Sequence, residues 1–151
     1  MKKSKYAFTM IELIFVIVVL GILSAVAIPK MAATRTDAHI SKARADISSI
    51  RSAIITERQS RLIKGDSSYI NSLSSSAATL FDGNGTVGNE LLMYGITAGT
   101  SNGQWSTSDS AMPYDNYTFK VGGSECDFTY FSTGKFTLDA SQDSICDKLV
   151  D

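Results

Sequence analysis

The sequence predicts an α+β protein in which one long N-terminal helix packs on a small antiparallel β-sheet head. Three observations support this prediction. An apolar run covers residues 8–28, residues 31–64 contain neither Pro nor Gly, and alternating apolar and polar residues appear in the C-terminal part. We therefore expect a helix over residues 8–64 whose first half is apolar on every face and whose second half has one apolar face.

The apolar run contains a single charged residue, Glu12. As a helix, residues 8–28 would be about 32 Å long, which is enough to cross the hydrocarbon core of a bilayer. A charged side chain inside such a span costs about 2.5–3.5 kcal/mol on insertion scales. The sequence therefore predicts a transmembrane helix whose carboxylate needs a partner.

The residues around Glu12 form an ordered motif. A basic leader precedes the apolar run, and a Gly and a Pro follow the acidic residue; the motif residues are Lys2, Lys3, Lys5, Ala7, Phe8, Glu12, Gly21 and Pro29. This N-terminus resembles that of type IV pilins and the related pseudopilins, and the motif is their class III prepilin signature. The resemblance covers the N-terminal residues up to Pro29.

The resemblance implies how the chain is processed. A prepilin peptidase would cut between Ala7 and Phe8, and the new amine of Phe8 would be methylated. Glu12, the fifth residue after the cut, would help the subunit to enter a filament. The family nearly always has Gly before the cut, whereas this chain has Ala7. Because Ala is closest to Gly in size, we still expect cleavage.

The resemblance also implies partners and organisation. The expected partners are other filament subunits, the prepilin peptidase, an assembly platform with its ATPase, and the membrane through residues 8–28; no cofactor and no metal are expected. The expected segments are a leader (1–7), a transmembrane and filament-core helix (8–29), an amphipathic stem helix (30–64) and a head (65–151). The second candidate is a pseudopilin of a type II secretion or DNA-uptake system.

Elementary electrostatics supports a role for Glu12. Cutting before Phe8 creates an α-amine with a reference pKa of about 7.7–8.0, so this amine is largely protonated at neutral pH. Pairing this amine with Glu12 of the same chain or of a neighbour would offset the desolvation penalties of both the amine and the carboxylate. The alternative is that Glu12 lies at headgroup depth and reaches water by snorkelling.

Two other interpretations of the apolar run stay open. An ordinary secretory signal would use Ala25-Val26-Ala27 as its cleavage site. A plain single-pass anchor would stay uncut and would tether a periplasmic binding domain. The first residue of the mature protein separates the three cases, since it would be Phe8, Ile28 or Met1. The lysines before the span predict a cytoplasmic leader and a periplasmic head at the inner membrane.

The stem helix has one apolar stripe. Its members recur three and four residues apart, as on one face of a helix: Ile40, Ala43, Ile47, Ile50 and Ile54. Lys64-Gly65 predicts the end of the helix and its C-cap. Pro29 removes a backbone donor and is expected to bend the helix. The stripe needs a surface to cover, and the head is the candidate.

The head is expected to contain three or four antiparallel strands in a meander. The first covers Tyr117–Val121 and ends at the turn Gly122-Gly123, the second includes Phe128–Phe131, and the next covers Phe136–Leu138. One face of this sheet should pack on the isoleucine stripe. A soluble part of this size buries one modest core, so we expect a single domain.

Cys126 and Cys146 are the two cysteines of the sequence. An even count in an exported segment indicates a disulfide, and the alternative is two free, buried thiols. Closing this loop would stabilise the head by about 3 kcal/mol in the chain-entropy model. The resemblance implies such a C-terminal disulfide loop for pilins, whereas the major pseudopilins of type II secretion commonly hold this region with calcium.

Charge is divided unevenly along the chain. Residues 1–64 carry eleven Lys/Arg and four Asp/Glu. Residues 65–151 carry three Lys/Arg and eleven Asp/Glu. The acidic head could meet the basic stem of a neighbouring subunit; the alternative is that the stem cations are simply solvated. An acidic head does not match nucleic-acid phosphates, so no direct nucleic-acid binding is expected.

The sequence does not predict an enzyme. It contains no phosphate-binding loop, nucleophile elbow or metal-spaced Cys/His cluster. His39 is expected to be a solvated helix residue, and Asp82–Thr86 to be a turn rather than a calcium loop, because Met93 stands where an EF-hand needs Glu. Trp105 is expected to be a partly buried anchor in a loop.

Overall fold

The computed structural model describes residues 8–86, 88–140 and 143–150, and it confirms the α+β class. In chain order the elements are α1 Met10–Ile63, β1 Thr79–Leu80, β2 Ile96–Thr97, β3 Trp105–Thr107, β4 Asn116–Val121, β5 Ser124–Tyr130, β6 Phe136–Leu138 and α2 Ser144–Asp147. The chain divides into two compact units, Met1–Asp37 and Ala38–Asp151. The expected leader, residues 1–7, lies outside the described residues.

In the first unit, α1 begins at Met10 and the side chains of residues 8–28 are exposed. The backbone remains helical through Pro29. A helix with no polar face and no protein cover needs lipid or other apolar helices around it. The bend at Pro29 stays a prediction.

In the second unit, the expected stripe of α1 forms one wall of the core. Ala43, Ile47, Ile50 and Ile54 are each at most 2% exposed, and Ile40 is half-buried beside them. Spacings of three and four residues place these side chains on one helix face, which packs against the sheet as the sequence predicts.

The helix ends where Lys64-Gly65 predicted it would. Gly65 has φ of 87°, a left-handed conformation that favours glycine. Its N–H donates to Leu62 O at 3.0 Å, and the N–H of Asp66 donates to Arg61 O at 3.0 Å. These two bonds form a Schellman motif, in which the last free carbonyls of the helix are satisfied.

The main sheet is a four-stranded antiparallel meander in the order β3-β4-β5-β6. In its register Phe119 lies opposite Trp105 on one side and Cys126 on the other. The expected strands β4 and β6 are present, and β5 begins at Ser124, earlier than the aromatic run suggested. The short pair β1-β2 forms a separate sheet.

The prediction for Trp105 was wrong: it lies on β3 and is fully buried.

Aromatic rings fill the space between α1 and the sheet. Alternate residues of β4 and β5 face inwards, so each strand contributes one buried set. The buried members are Tyr117, Phe119, Val121, Cys126, Phe128 and Tyr130. Phe81 lies among them, with its ring centroid 4.5 Å from Tyr117 and 5.4 Å from Trp105. These contacts hold Phe81 at φ of 62°, which is unusual for a residue other than Gly.

Candidate processing and assembly site

The first helical turn is closed by a threonine cap. Thr9 precedes α1, and its Oγ1 accepts a hydrogen bond from the backbone N–H of Glu12 at 3.3 Å. The carbonyl of Thr9 accepts from the N–H of Leu13 at 3.2 Å. Thr9 is therefore the N-cap and Glu12 the third helical residue, which is the spacing of a capping box. The Thr-x-x-Glu pattern is the signal in the sequence that marks this helix N-terminus.

The position of Glu12 has an electrostatic consequence. A carboxylate in the first turn lies at the positive end of the helix dipole, which typically stabilises it by about 0.3–1 kcal/mol. Phe8 is 81% exposed and Glu12 is also exposed. The site is thus an accessible helix N-terminus with a carboxylate near its first free N–H groups. Ala7, the expected residue before the cut, lies outside the described residues.

The segment after Glu12 presents apolar side chains on all sides. By length and composition, α1 contains a stretch able to cross a membrane, and that stretch is unburied within the protein. Leu13, Phe15 and Leu20, for example, are each more than half exposed. A secretory signal can share this length and composition.

Comparison with known proteins supports the N-terminal interpretation. Residues 2–28 match the family model described as the prokaryotic N-terminal methylation motif. This motif is the class III prepilin signal of type IV pilins and pseudopilins, so the chain carries that signal. The match includes Ala7, Phe8 and Glu12 and ends before Pro29. Searches of curated proteins and of solved structures found no match to this chain.

In the second unit, cations of α1 bond to neutral oxygens of the head. Nε of Arg44 donates to Lys148 O at 2.6 Å, and Nε of Arg51 donates to Phe136 O at 3.1 Å. Arg58 lies over the Tyr69 ring, 4.1 Å from its centroid, and donates to the Tyr69 hydroxyl. These arginines are seven residues apart, so they follow one edge of the helix. Sequence reasoning missed their role because their acceptors are distant in sequence.

The C-terminal end of α1 carries a compact ion-pair cluster. Nε of Arg61 lies 2.5 Å from Glu57 Oε1, and its Nη1 lies 3.3 Å from Asp66 Oδ2. Glu57 is only 5% exposed, so its carboxylate is buried. Burial, together with the nearby Glu57 charge, raises the pKa of Tyr130 to about 12. The Tyr130 hydroxyl therefore stays protonated and donates to Ile70 O at 2.8 Å.

His39 also differs from its prediction. It is half-buried rather than solvated, and its ring lies against Gly103. A Cβ built at Gly103 would approach His39 Nδ1 to 2.1 Å, and Gly103 has φ of 84°. Glycine is required there both for the close approach and for the backbone conformation.

The cysteines form the Cys126–Cys146 disulfide, with Cα atoms 5.5 Å apart and both residues fully buried. Cys126 is on β5 and Cys146 on α2, so the bond fastens the C-terminal segment to the sheet. The thiol alternative therefore does not apply to this structure.

Two carboxylates interact in the segment between β3 and β4, Asp109 and Asp115. Asp109 accepts bonds from the backbone N–H groups of Asp115 and Asn116 and from the Asn116 side chain. Burial acts to raise the pKa of Asp109, but these hydrogen bonds outweigh it and hold the pKa below its ordinary value. Burial and the neighbouring Asp109 charge raise the pKa of Asp115.

The described residues include no group of three His, Cys, Asp or Glu side chains arranged to hold a metal. In the Asp82–Thr86 segment, the Asp82 carboxylate accepts from the Ser75 N–H at 2.8 Å and from the Ser75 hydroxyl. Asn84 Oδ1 accepts from the Thr86 N–H at 3.1 Å, which is an Asx-turn bond. These bonds support the expected turn.

Proposed function

We propose that this chain is a structural subunit of a type IV pilus-like filament, held in the inner membrane before assembly. The observation that carries the proposal is the motif at residues 2–28. From Met10 onward its residues form a helix with exposed apolar side chains. In this proposal a prepilin peptidase cuts between Ala7 and Phe8, and Phe8 is then methylated. An assembly platform and its ATPase then add the subunit to a fibre.

The apolar helix supports storage in lipid followed by polymerisation. Its exposed apolar surface is unstable in water and needs either lipid or neighbouring helices. Because lipid tails and a bundle of apolar helices are similar in polarity, transfer between them need not be costly. The same surface therefore serves both as the membrane anchor and as the filament core.

Glu12 would act in assembly through its charge. Before assembly, the helix dipole offsets part of the cost of placing the Glu12 charge in apolar surroundings, since Glu12 is in the first turn of the helix. After cleavage the protonated amine of Phe8, from the same chain or a neighbour, would supply the rest. Pairing with a neighbour would set the axial register between subunits, because an unpaired charge in the apolar core is costly.

The second candidate is a pseudopilin of a type II secretion or DNA-uptake system, because pseudopilins carry the same motif. The Cys126–Cys146 bond favours the pilus, since it stands where the resemblance implies a pilin disulfide loop. Filament appearance distinguishes them. Long surface fibres indicate a pilus, and short periplasmic fibres seen only on overexpression indicate a pseudopilus.

The first test is the N-terminus of the mature protein. Mass spectrometry is expected to find a methylated Phe8 as the first residue. A protein beginning at Ile28 would indicate a secretory signal, and one beginning at Met1 an uncut anchor; either result would overturn the proposal. An Ala7→Gly variant serves as the control, and it should be cut at least as fast as the natural chain.

The second test is Glu12→Val, compared with Glu12→Asp, which keeps the charge. The Val variant is expected to insert and to be cut normally but to form no filaments. The Asp variant should retain part of the assembly. Normal filaments from the Val variant would contradict the role of Glu12.

A further inference from the structure

A groove lies between α1 and the C-terminal segment in the second unit. It has a volume of about 250 Å³ and is lined by Arg44, Ile47, Ser48, Arg51, Leu149 and Val150. Ile47 and Leu149, each 2% exposed, form an apolar floor, whereas Arg44 and Arg51 are exposed at the rim. We call this feature the Arg44 groove.

The described lining of the Arg44 groove contains two positively charged side chains and no acidic one. The Nε atoms of Arg44 and Arg51 donate to main-chain carbonyls, which are neutral acceptors, so these bonds do not cancel the guanidinium charges. Neither arginine belongs to the three ion pairs found among the described residues. Asp147 and Lys148, which precede the lining residue Leu149, are exposed and opposite in charge, and Asp151 lies outside the described residues. Two positive charges beside an apolar floor favour a partner surface that presents several carboxylates close together.

The outer face of the sheet has that chemistry. Asp127 and Asp139 lie on it and accept hydrogen bonds from the hydroxyls of Thr118 and Thr129, respectively. Asp109 follows β3 and accepts a bond from the Asn116 side chain, which borders the same face. A shallow hollow of about 290 Å³ includes Asp127 and Asp139 in its lining. The cation at an outward position of β4, Lys120, already pairs with Glu125 at 3.0 Å.

We propose that the Arg44 groove receives the acidic outer sheet face of a second copy of this chain. The groove belongs to the helix layer, and the acidic face is the side of the sheet turned away from the helix. One copy therefore cannot join its own two surfaces. A contact between different surfaces on two copies is head-to-tail, and such contacts form open polymers unless the rotation closes a ring.

This inference rests on the proposed function and specifies one contact of the filament. It assigns the general attraction between a basic stem and an acidic head to two specific surfaces, the Arg44 groove and the outer face of the sheet. Six stem cations each donate a hydrogen bond within their own chain: Lys42, Arg44, Arg51, Arg58, Arg61 and Lys64. Of these, Arg44 and Arg51 rim an open groove.

Charge exchange in the full-length chain tests the proposal in cells. Arg44→Glu and Asp139→Lys are each expected to reduce the yield of sheared filaments by about tenfold or more, because each places like charges together. The double variant restores opposite charges and should recover filaments. Glu90→Lys is the matched control: it makes the same charge change as Asp139→Lys on an exposed loop and should assemble normally.

The folding of each variant is first checked by two measurements: the amount of the protein in the membrane fraction and the formation of the Cys126–Cys146 bond. If folded single variants assemble like the natural chain, or the double variant is no better than they are, the proposal is overturned. If the natural chain forms no filaments at all, the proposed function fails instead.

A cross-link tests the contact in membranes even without filaments. An Arg44→Lys variant provides an amine that a carbodiimide can couple to a carboxylate in direct contact. The expected product is a dimer band containing a peptide that joins position 44 to Asp109, Asp127 or Asp139. Asp139→Asn added to this variant should reduce the yield, and absence of such a joined peptide would overturn the proposed contact.

Discussion

The indole N–H of Trp105 donates a 2.9 Å hydrogen bond to Oδ2 of Asp46. This bond joins β3 to α1 across the core of the second unit, and the Trp105 side chain is fully buried. The apolar stripe alone does not require a polar residue at this point of the helix. Asp46 is the acceptor that allows a buried tryptophan to face α1.

Asp46→Ala should therefore destabilise the head by about 1–3 kcal/mol, because the buried indole N–H loses its acceptor. Urea unfolding of the full-length protein in mild detergent, followed by the fluorescence of its single tryptophan, measures this loss. Asp46→Asn retains a carbonyl acceptor and should lose less. Equal losses in the two variants would show that the hydrogen bond is not the cause.

Ile50 and Ile55 offer a matched pair on α1, since Ile50 is fully buried and Ile55 is 58% exposed. Ile50→Ala should cost about 2–5 kcal/mol, because it leaves a cavity in the core. Ile55→Ala should change the free energy of unfolding by less than about 0.5 kcal/mol. The same unfolding experiment compares them, and similar losses would contradict the packing described above.

The Cys126–Cys146 bond closes a loop with a sequence separation of 20. Replacing both cysteines by Ala should lower the free energy of unfolding by about 3 kcal/mol, because the unfolded chain regains the entropy of the open loop. The control is the unmodified protein unfolded with and without reductant. An unchanged midpoint after reduction would contradict the prediction.

The lowered pKa of Asp109 predicts acid-sensitive stability. A carboxylate whose pKa is lower in the folded than in the unfolded state stabilises the fold above the ordinary Asp pKa of about 3.9. That contribution is lost as the pH falls through the folded-state pKa. Asp109→Asn should therefore make the unfolding free energy less dependent on pH in the acid range.

Asp115 complicates this measurement, because its raised pKa acts in the opposite direction. Both proteins should therefore carry Asp115→Asn, which leaves the backbone N–H that bonds to Asp109 in place. Thermal unfolding followed from neutral to acid pH then isolates the Asp109 contribution. Identical pH profiles with and without Asp109→Asn would show that this carboxylate has no such role.

The predictions for α1 were accurate where the signals are local. The stripe at Ile47, Ile50 and Ile54 follows from a helical period, and the cap at Gly65 follows from glycine in a left-handed conformation. Strands β4 and β6 were also predicted, because alternation marks a strand with one buried face. All of these features depend on neighbours within a few residues in the chain.

Strands β1, β2 and β3 were missed for a different reason. They are two or three residues long and each contains a single apolar residue, so they lack the apolar-polar-apolar alternation that marks β6. Each is a strand only because a distant segment pairs with it, as Trp105 pairs with Phe119. The same holds for His39, whose half-buried position depends on Gly103.

The sequence by itself determined the N-terminal signal, the apolar helix with Glu12, and the apolar stripe, because each is a pattern of adjacent residues and their periods. Only the tertiary structure decided that Glu57 and Trp105 are buried and that Arg44 and Arg51 rim a groove. Burial and hydrogen-bond partners depend on which distant segments meet in the folded chain. Spacing along the chain does not encode those contacts directly.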